Sequence, residues 1–178
     1  SMKQAYSAIK FLYNNVLYKK FPKTLQFNFR REEKFPSVLS EASIRQIFNN
    51  TQNLKHRTIL MTIYSGGLRI SELLNLKLRD LNRERGAIII KGAKGKKDRQ
   101  VMLAKNLIPV LDHYLKKYQP KEYVFENPKG GKYSATSIRS FFKRSLQKAG
   151  VKEMATIHTL RHSFATHLLE HGTGIRYI

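Results

Sequence analysis

The chain has 178 residues, long enough for one domain with a real core. It carries 34 Lys and Arg against 12 Asp and Glu, a formal net charge of +22, which predicts a polyanionic partner: nucleic acid ordinarily, an anionic membrane surface as the rival. A hydrophobic fraction of 41% argues against intrinsic disorder, no apolar run is long enough to span a bilayer, and with no cysteine there are no disulfides or thiolate metal sites.

Ser1-Met2 reads as a tag remnant ahead of an excised fragment, with no recognisable signal peptide. Ile9, Leu12, Tyr13 and Val16 recur at helical spacing and predict an amphipathic helix over 1–21. Pro22 to Pro36 is charged and bracketed by prolines, as a linker is. A helix follows Ser40, with Ser40 as N-cap, Glu41 in the first turn and Leu39 and Ile44 as a hydrophobic staple. "HRTILMTIYSGG" predicts a buried helix ended by Gly66-Gly67, and "LRISELLNLKLRDL" a short helix running into a turn. "AIIIK" and "RQVML" are strands joined by the basic hairpin loop "GAKGKKD". "KNLIPVLDHYLKKY" is helical, with Pro109 tolerated near its start. A further helix opens at Ser134 or Thr136 and closes at Gly150, and the last runs from near Thr156 to Gly172. The expected fold is mainly α with a small antiparallel β-sheet.

The last helix, "HTLRHSFATHLLEHG", has Leu160, Phe164 and Leu168 as a core stripe, with His158 and Arg161 one turn apart at its edge. The plainer reading of His162, His167 and His171 is a solvated polar face. His167 and His171 lie four residues apart, but no Glu directly follows the first as in a zinc-protease helix, and no Cys or Asp completes a metal set. Carboxylates are scarce, and the only adjacent pair, Glu32-Glu33, lies in the linker. A two-metal nuclease needs carboxylates gathered around its ions. Chemistry on a phosphodiester here would instead need arginine forks, which donate two hydrogen bonds to phosphate oxygens. Arg69 in "SGGLRISEL" suits that role, because Leu68, Ile70, Leu73 and Leu74 around it look buried. In "KGAKGKKDR" the residues Lys91, Lys94, Lys96, Lys97 and Arg99 predict a DNA-backbone contact, as do Arg139 and Lys143 on the penultimate helix.

"YSGGLRISELLNLKLRDL", "KGKKDRQVML" and "HTLRHSFATHLLEHG", in this order and spacing, resemble the catalytic domain of tyrosine recombinases: phage and transposon integrases, integron integrases and Xer-type recombinases. The resemblance covers 37–178; it makes 1–21 the last helix of a core-binding domain and 22–36 the connection. It implies that Arg69, Lys94, His158 and Arg161 are catalytic, with Glu72 supporting Arg69 and His162 packing nearby. In the family a tyrosine attacks the scissile phosphate, the arginines hold its oxygens, and lysine and histidine move protons. Neither a metal nor a nucleotide cofactor is implied. The family's second His or Trp and its nucleophilic tyrosine are expected beyond Ile178, with Tyr177 an ordinary residue before that segment.

The resemblance further implies double-stranded DNA as partner, a homotetramer of the parent protein on paired sites, a monomer for this chain, no membrane, and the bacterial cytoplasm or nucleoid as location. This chain is then expected to bind DNA without cleaving it. The alternatives are a non-catalytic basic DNA-binding module and a topoisomerase IB-like enzyme.

Overall fold

The computed structural model describes residues 2–22, 25, 37–91 and 98–173. The chain divides into two compact units, Ser1–Phe35 and Pro36–Ile178. In the first, α1 (Met2–Phe11) runs into a π-helical turn at Leu12–Val16. Tyr6 and Tyr13 meet Phe21 edge-on, with centroids 5.5 and 5.6 Å apart. The predicted apolar stripe behaves differently from expectation, since Ile9, Leu12 and Val16 are exposed. The π turn explains part of this: five residues per hydrogen-bonded step break the 3.6-residue register that would align them.

The second unit is built around α3 (Leu54–Ser65), which packs against α2 (Glu41–Asn50), α4 (Ile70–Asn75), α5 (Leu107–Tyr118), α6 (Ala135–Lys148) and α7 (Ile157–Glu170). A central helix must be apolar on several faces, and Leu54, Ile59, Leu60 and Ile63 are all buried. Its two buried threonines cost little, because Thr58 and Thr62 donate their hydroxyls to the carbonyls of Leu54 and Thr58 at 2.8 and 2.7 Å. The helix starts are local: Ser40 accepts from the Ser43 N–H, Asn53 from His56, Ser134 from Ser137 and Thr156 from Thr159. Pro109 is the third residue of α5, where its missing N–H breaks no helical bond.

The sheet has three antiparallel strands in the order β1 (Leu81–Asn82), β2 (Ala87–Ile90), β3 (Arg99–Met102). The first is a two-residue strand that the sequence pattern does not announce. Ile88 and Ile90 face the core, and the register sets Ile90 opposite Arg99. Among the described residues no helix is long and apolar enough to cross a membrane.

Candidate functional site: three arginines on one carboxylate

The site begins at the end of α3. Gly67 has φ +53°, a conformation that suits glycine. A Cβ there would lie 2.7 Å from Phe164 Cδ1, so α7 packs directly on this turn. Leu68 is buried, and Arg69 follows in extended conformation as the N-cap of α4. Three residues on, Glu72 Oε2 accepts the Arg69 backbone N–H at 2.8 Å, the acidic half of a capping box. Glu72 Oε1 accepts Arg69 Nη1, also at 2.8 Å.

Two more guanidiniums converge on Glu72. Arg99, the first residue of β3, donates Nη2 to Oε2 at 2.9 Å. Arg161 on α7 brings Nη1 to 3.5 Å from the same oxygen, an ion pair without a hydrogen bond. That nitrogen is buried and has no hydrogen-bond partner. Burial pushes the Glu72 carboxyl up, but the Arg69 N–H and the Arg99 and Arg69 guanidiniums outweigh it and hold the group below its ordinary value. Burial, then the crowding by Arg69, draws Arg161 down; Glu72 opposes this and Arg99 adds to it. The cluster holds three cations and one carboxylate, and its spare buried donor can be satisfied by an added anion.

His158 is exposed, and its ring stacks on that of His162 with centroids 5.7 Å apart. His158 and Arg69 line a cleft of about 980 Å³, with Arg139 and Lys143 from α6 on the same cleft and Leu68 and Phe142 among its walls. Lys91 instead pairs with the buried Asp80, Nζ to Oδ1 3.0 Å. Lys94, Lys96, Lys97 and Tyr177 lie outside the described residues. The structure thus brings Arg69, Glu72, Arg99 and Arg161 into one cluster and opens His158, Arg139 and Lys143 onto the cleft beside it.

Two features escape sequence reading. Arg99, expected as a DNA contact, is turned onto Glu72; the only signal is its place at the end of the lysine loop. His167, expected on a solvated face, is buried, and its Nδ1 lies 2.8 Å from the Tyr64 hydroxyl. A further hollow of about 350 Å³ is lined by Glu72, Lys91, Lys77, Lys132 and Tyr123. There Lys77 and Lys132 both approach the Tyr123 ring, at 5.2 and 5.4 Å.

Fold and site together define a mainly helical domain with three arginines gathered on one carboxylate. Residues 37–178 match the phage integrase family, and the chain belongs to that family as part of a tyrosine recombinase catalytic domain. It is 37% identical over 150 residues to tyrosine recombinase XerA of Pyrococcus horikoshii, covering 82% of this chain and 52% of that protein. It is 36% identical over 152 residues to a tyrosine recombinase of Thermosipho africanus (84% and 53% covered). It is 34% identical over 171 residues to XerD of Staphylococcus aureus (89% and 58%). The chain spans about half the length of these curated relatives.

Among solved structures, XerA recombinase superposes with a TM-score of 0.75 at 28% identity, covering 99% of this chain and 65% of that one. XerH bound to its difH substrate in a pre-cleavage complex gives 0.80 at 24% identity, covering 98% and 56%, an agreement in fold.

Proposed function

We propose that residues 37–178 are the phosphate-activating part of a site-specific DNA recombinase that breaks and rejoins strands through a 3′-phosphotyrosine. The observation that carries this reading is the buried Arg161 Nη1, left without a hydrogen-bond partner beside Arg69 and Arg99. Arg69 and Arg161 hold the non-bridging oxygens of the scissile phosphate as charge develops on them. A tyrosine oxygen, supplied by a segment outside these 178 residues, bonds to phosphorus as the bond to the 5′ oxygen breaks. The tyrosine proton is lost to a base, and the leaving 5′ oxygen takes a proton from Lys94, with His158 assisting. The covalent link keeps the bond energy for rejoining.

XerH and the Tn1549 transposon integrase, both similar in fold, were solved with their DNA. Double-stranded DNA is accordingly the partner proposed here. The parent protein acts as a tetramer on paired sites, and this chain alone is a monomer that binds duplex weakly and does not cleave it.

The test joins binding to chemistry. Duplex affinity of the 178-residue chain should fall steeply with added salt, as counterion release requires. On a nicked suicide substrate the chain should form no adduct. A longer version that includes the family's tyrosine segment should form one in the presence of a chelator. An adduct from the short chain, or a need for Mg²⁺ in the long one, overturns the reading.

A further inference from the structure

Resting on that reading of the arginine cluster, the structure raises the question of what keeps the Arg161–Glu72 ion pair from closing into a hydrogen bond. A carboxylate pair of oxygens offers about four in-plane acceptor sites, two on each oxygen. Both sites on Glu72 Oε2 are taken, one by the Arg69 N–H at 2.8 Å and one by Arg99 Nη2 at 2.9 Å. Arg161 Nη1 approaches that same oxygen and stops at 3.5 Å. Closing to hydrogen-bond length would take a shift of about 0.6 Å, well within what a long side chain allows. The donor nevertheless stays buried and unsatisfied, a costly condition in a folded protein.

Arg99 is well placed to enforce this. It is the first residue of β3, fixed by the β2–β3 register opposite Ile90, whose side chain is buried. Its own side chain is about two-thirds covered (34% exposed). A guanidinium tethered by a strand and half-buried does not swing away from its acceptor as a loop lysine would.

We propose that Arg99 is a positioning residue: by occupying Glu72 Oε2 it keeps the Arg161–Glu72 ion pair from closing into a hydrogen bond and leaves Arg161 Nη1 open for a phosphate oxygen. Without Arg99, the protein's own carboxylate fills the anion site. Arg99 would therefore act through competition for an acceptor, and its charge alone would not account for its effect.

The test follows the Arg161 Nε–Hε resonance by NMR while the 178-residue chain is titrated with inorganic phosphate. The resonance is assigned with Arg161→Lys. In the unaltered chain phosphate should shift it saturably. Arg99→Met should weaken phosphate binding at Arg161 by about tenfold or more, the scale of one charge-assisted hydrogen bond. Arg99→Lys, which keeps a donor within reach of Oε2, should stay within about threefold of the unaltered chain. The deciding variant is Arg99→Met combined with Glu72→Gln: with the competing charge removed, binding should return to within about threefold of Glu72→Gln alone. Circular-dichroism melts check that each variant is folded, and Arg99→Leu, which also lacks a donor, is read in the same way as Arg99→Met.

Simple additivity of the two substitutions means that Arg99 supplies only charge, and the proposal is then wrong. An undiminished response in Arg99→Met, or no response in the unaltered chain, also overturns it. If phosphate behaves as expected but the tyrosine-bearing protein forms no DNA adduct, the recombinase reading fails while the role of Arg99 stands.

Discussion

Glu72 and Glu126 are both largely buried carboxylates, and they have opposite lives. Glu126 accepts the backbone N–H groups of Lys121, Glu122 and Tyr123 at 3.1, 2.7 and 3.1 Å, all within a few residues of itself. Lys55 binds the Glu126 carbonyl, not its carboxylate, at 2.9 Å. Every hydrogen-bond donor to the carboxylate belongs to the turn that the side chain organises. Glu72 draws Arg69 from its own helix, Arg99 from a strand and Arg161 from α7. It binds three elements together and still leaves one donor unsatisfied. Burial pushes both carboxyls up, and the hydrogen bonds they accept hold both below the ordinary value. Acidity therefore does not separate the two. The separating features are where the donors come from and whether any is left over.

The largest expected effect lies on the Glu72 side. In a tyrosine-bearing version of the protein, Arg161→Ala should lower the rate of adduct formation by about 100- to 1,000-fold, the cost of losing one preorganised donor to the transition state. DNA affinity should change far less, since one phosphate contact among many is lost. Single-turnover cleavage at saturating DNA separates the two; an equal loss in both would make Arg161 an ordinary DNA contact.

Gly67→Ala should come next. The added Cβ must displace the Phe164 ring from 2.7 Å while φ stays at +53°. Strain and overpacking of this kind cost about 2–4 kcal/mol together. Because the turn carries Arg69, adduct formation should fall along with the melting temperature. Unchanged cleavage in a clearly destabilised variant would mean that the turn is scaffold only.

Glu126→Ala tests the other side of the comparison. It strips the acceptor from three N–H groups and should cost about 2–3 kcal/mol, roughly 5–10 °C in Tm. Salt-dependent DNA binding should be untouched. The acid limb gives the sign: a carboxyl held low in the folded state stabilises above its ordinary value of 4.5 and loses that contribution as pH falls through the folded value. Glu126→Ala should thus flatten the decline of Tm at acid pH, and an unaltered slope would show that other carboxyls carry it.

The division between the two carboxylates also marks what the sequence can disclose. Ser40 was legible as an N-cap, Ser134 as one of two candidates with Thr136, and Thr156 as the neighbourhood of a helix start, because capping is decided within three residues. The mainly helical fold with a hairpin was legible for the same local reason. Arg69 stood out through its apolar neighbours and Arg161 through its place one turn from His158, whereas Glu72 was named only through the resemblance to the family's motifs. The Arg99–Glu72 bond spans 27 residues and depends on strand register, which no periodicity encodes. The Tyr64–His167 pair lies 103 residues apart in sequence, so a histidine that looked solvated on its own helix turned out buried. Two-residue β1 is too short to show alternation.

The smallest expected effect concerns His56, on the Glu126 side. Its ring lies flat on Phe141 at 3.9 Å, and its Nε2 is 3.2 Å from the Tyr133 hydroxyl. Burial first, then the Arg144 and Lys55 charges, hold its pKa below the ordinary 6.5. The folded protein therefore favours the neutral ring. That contribution is fully present above pH 6.5 and is lost as pH falls through the lower folded value. Against His56→Asn, the unaltered protein should lose a small extra amount of stability between neutral and mildly acid pH. A histidine-detected NMR titration should place the His56 midpoint below 6.5. Because His56 touches neither Arg69 nor Arg161, His56→Asn should leave the pH dependence of DNA binding as it was. If that dependence changes with His56, the two regions are electrostatically joined, and the line drawn here between an organising carboxylate and a functional one would have to be moved.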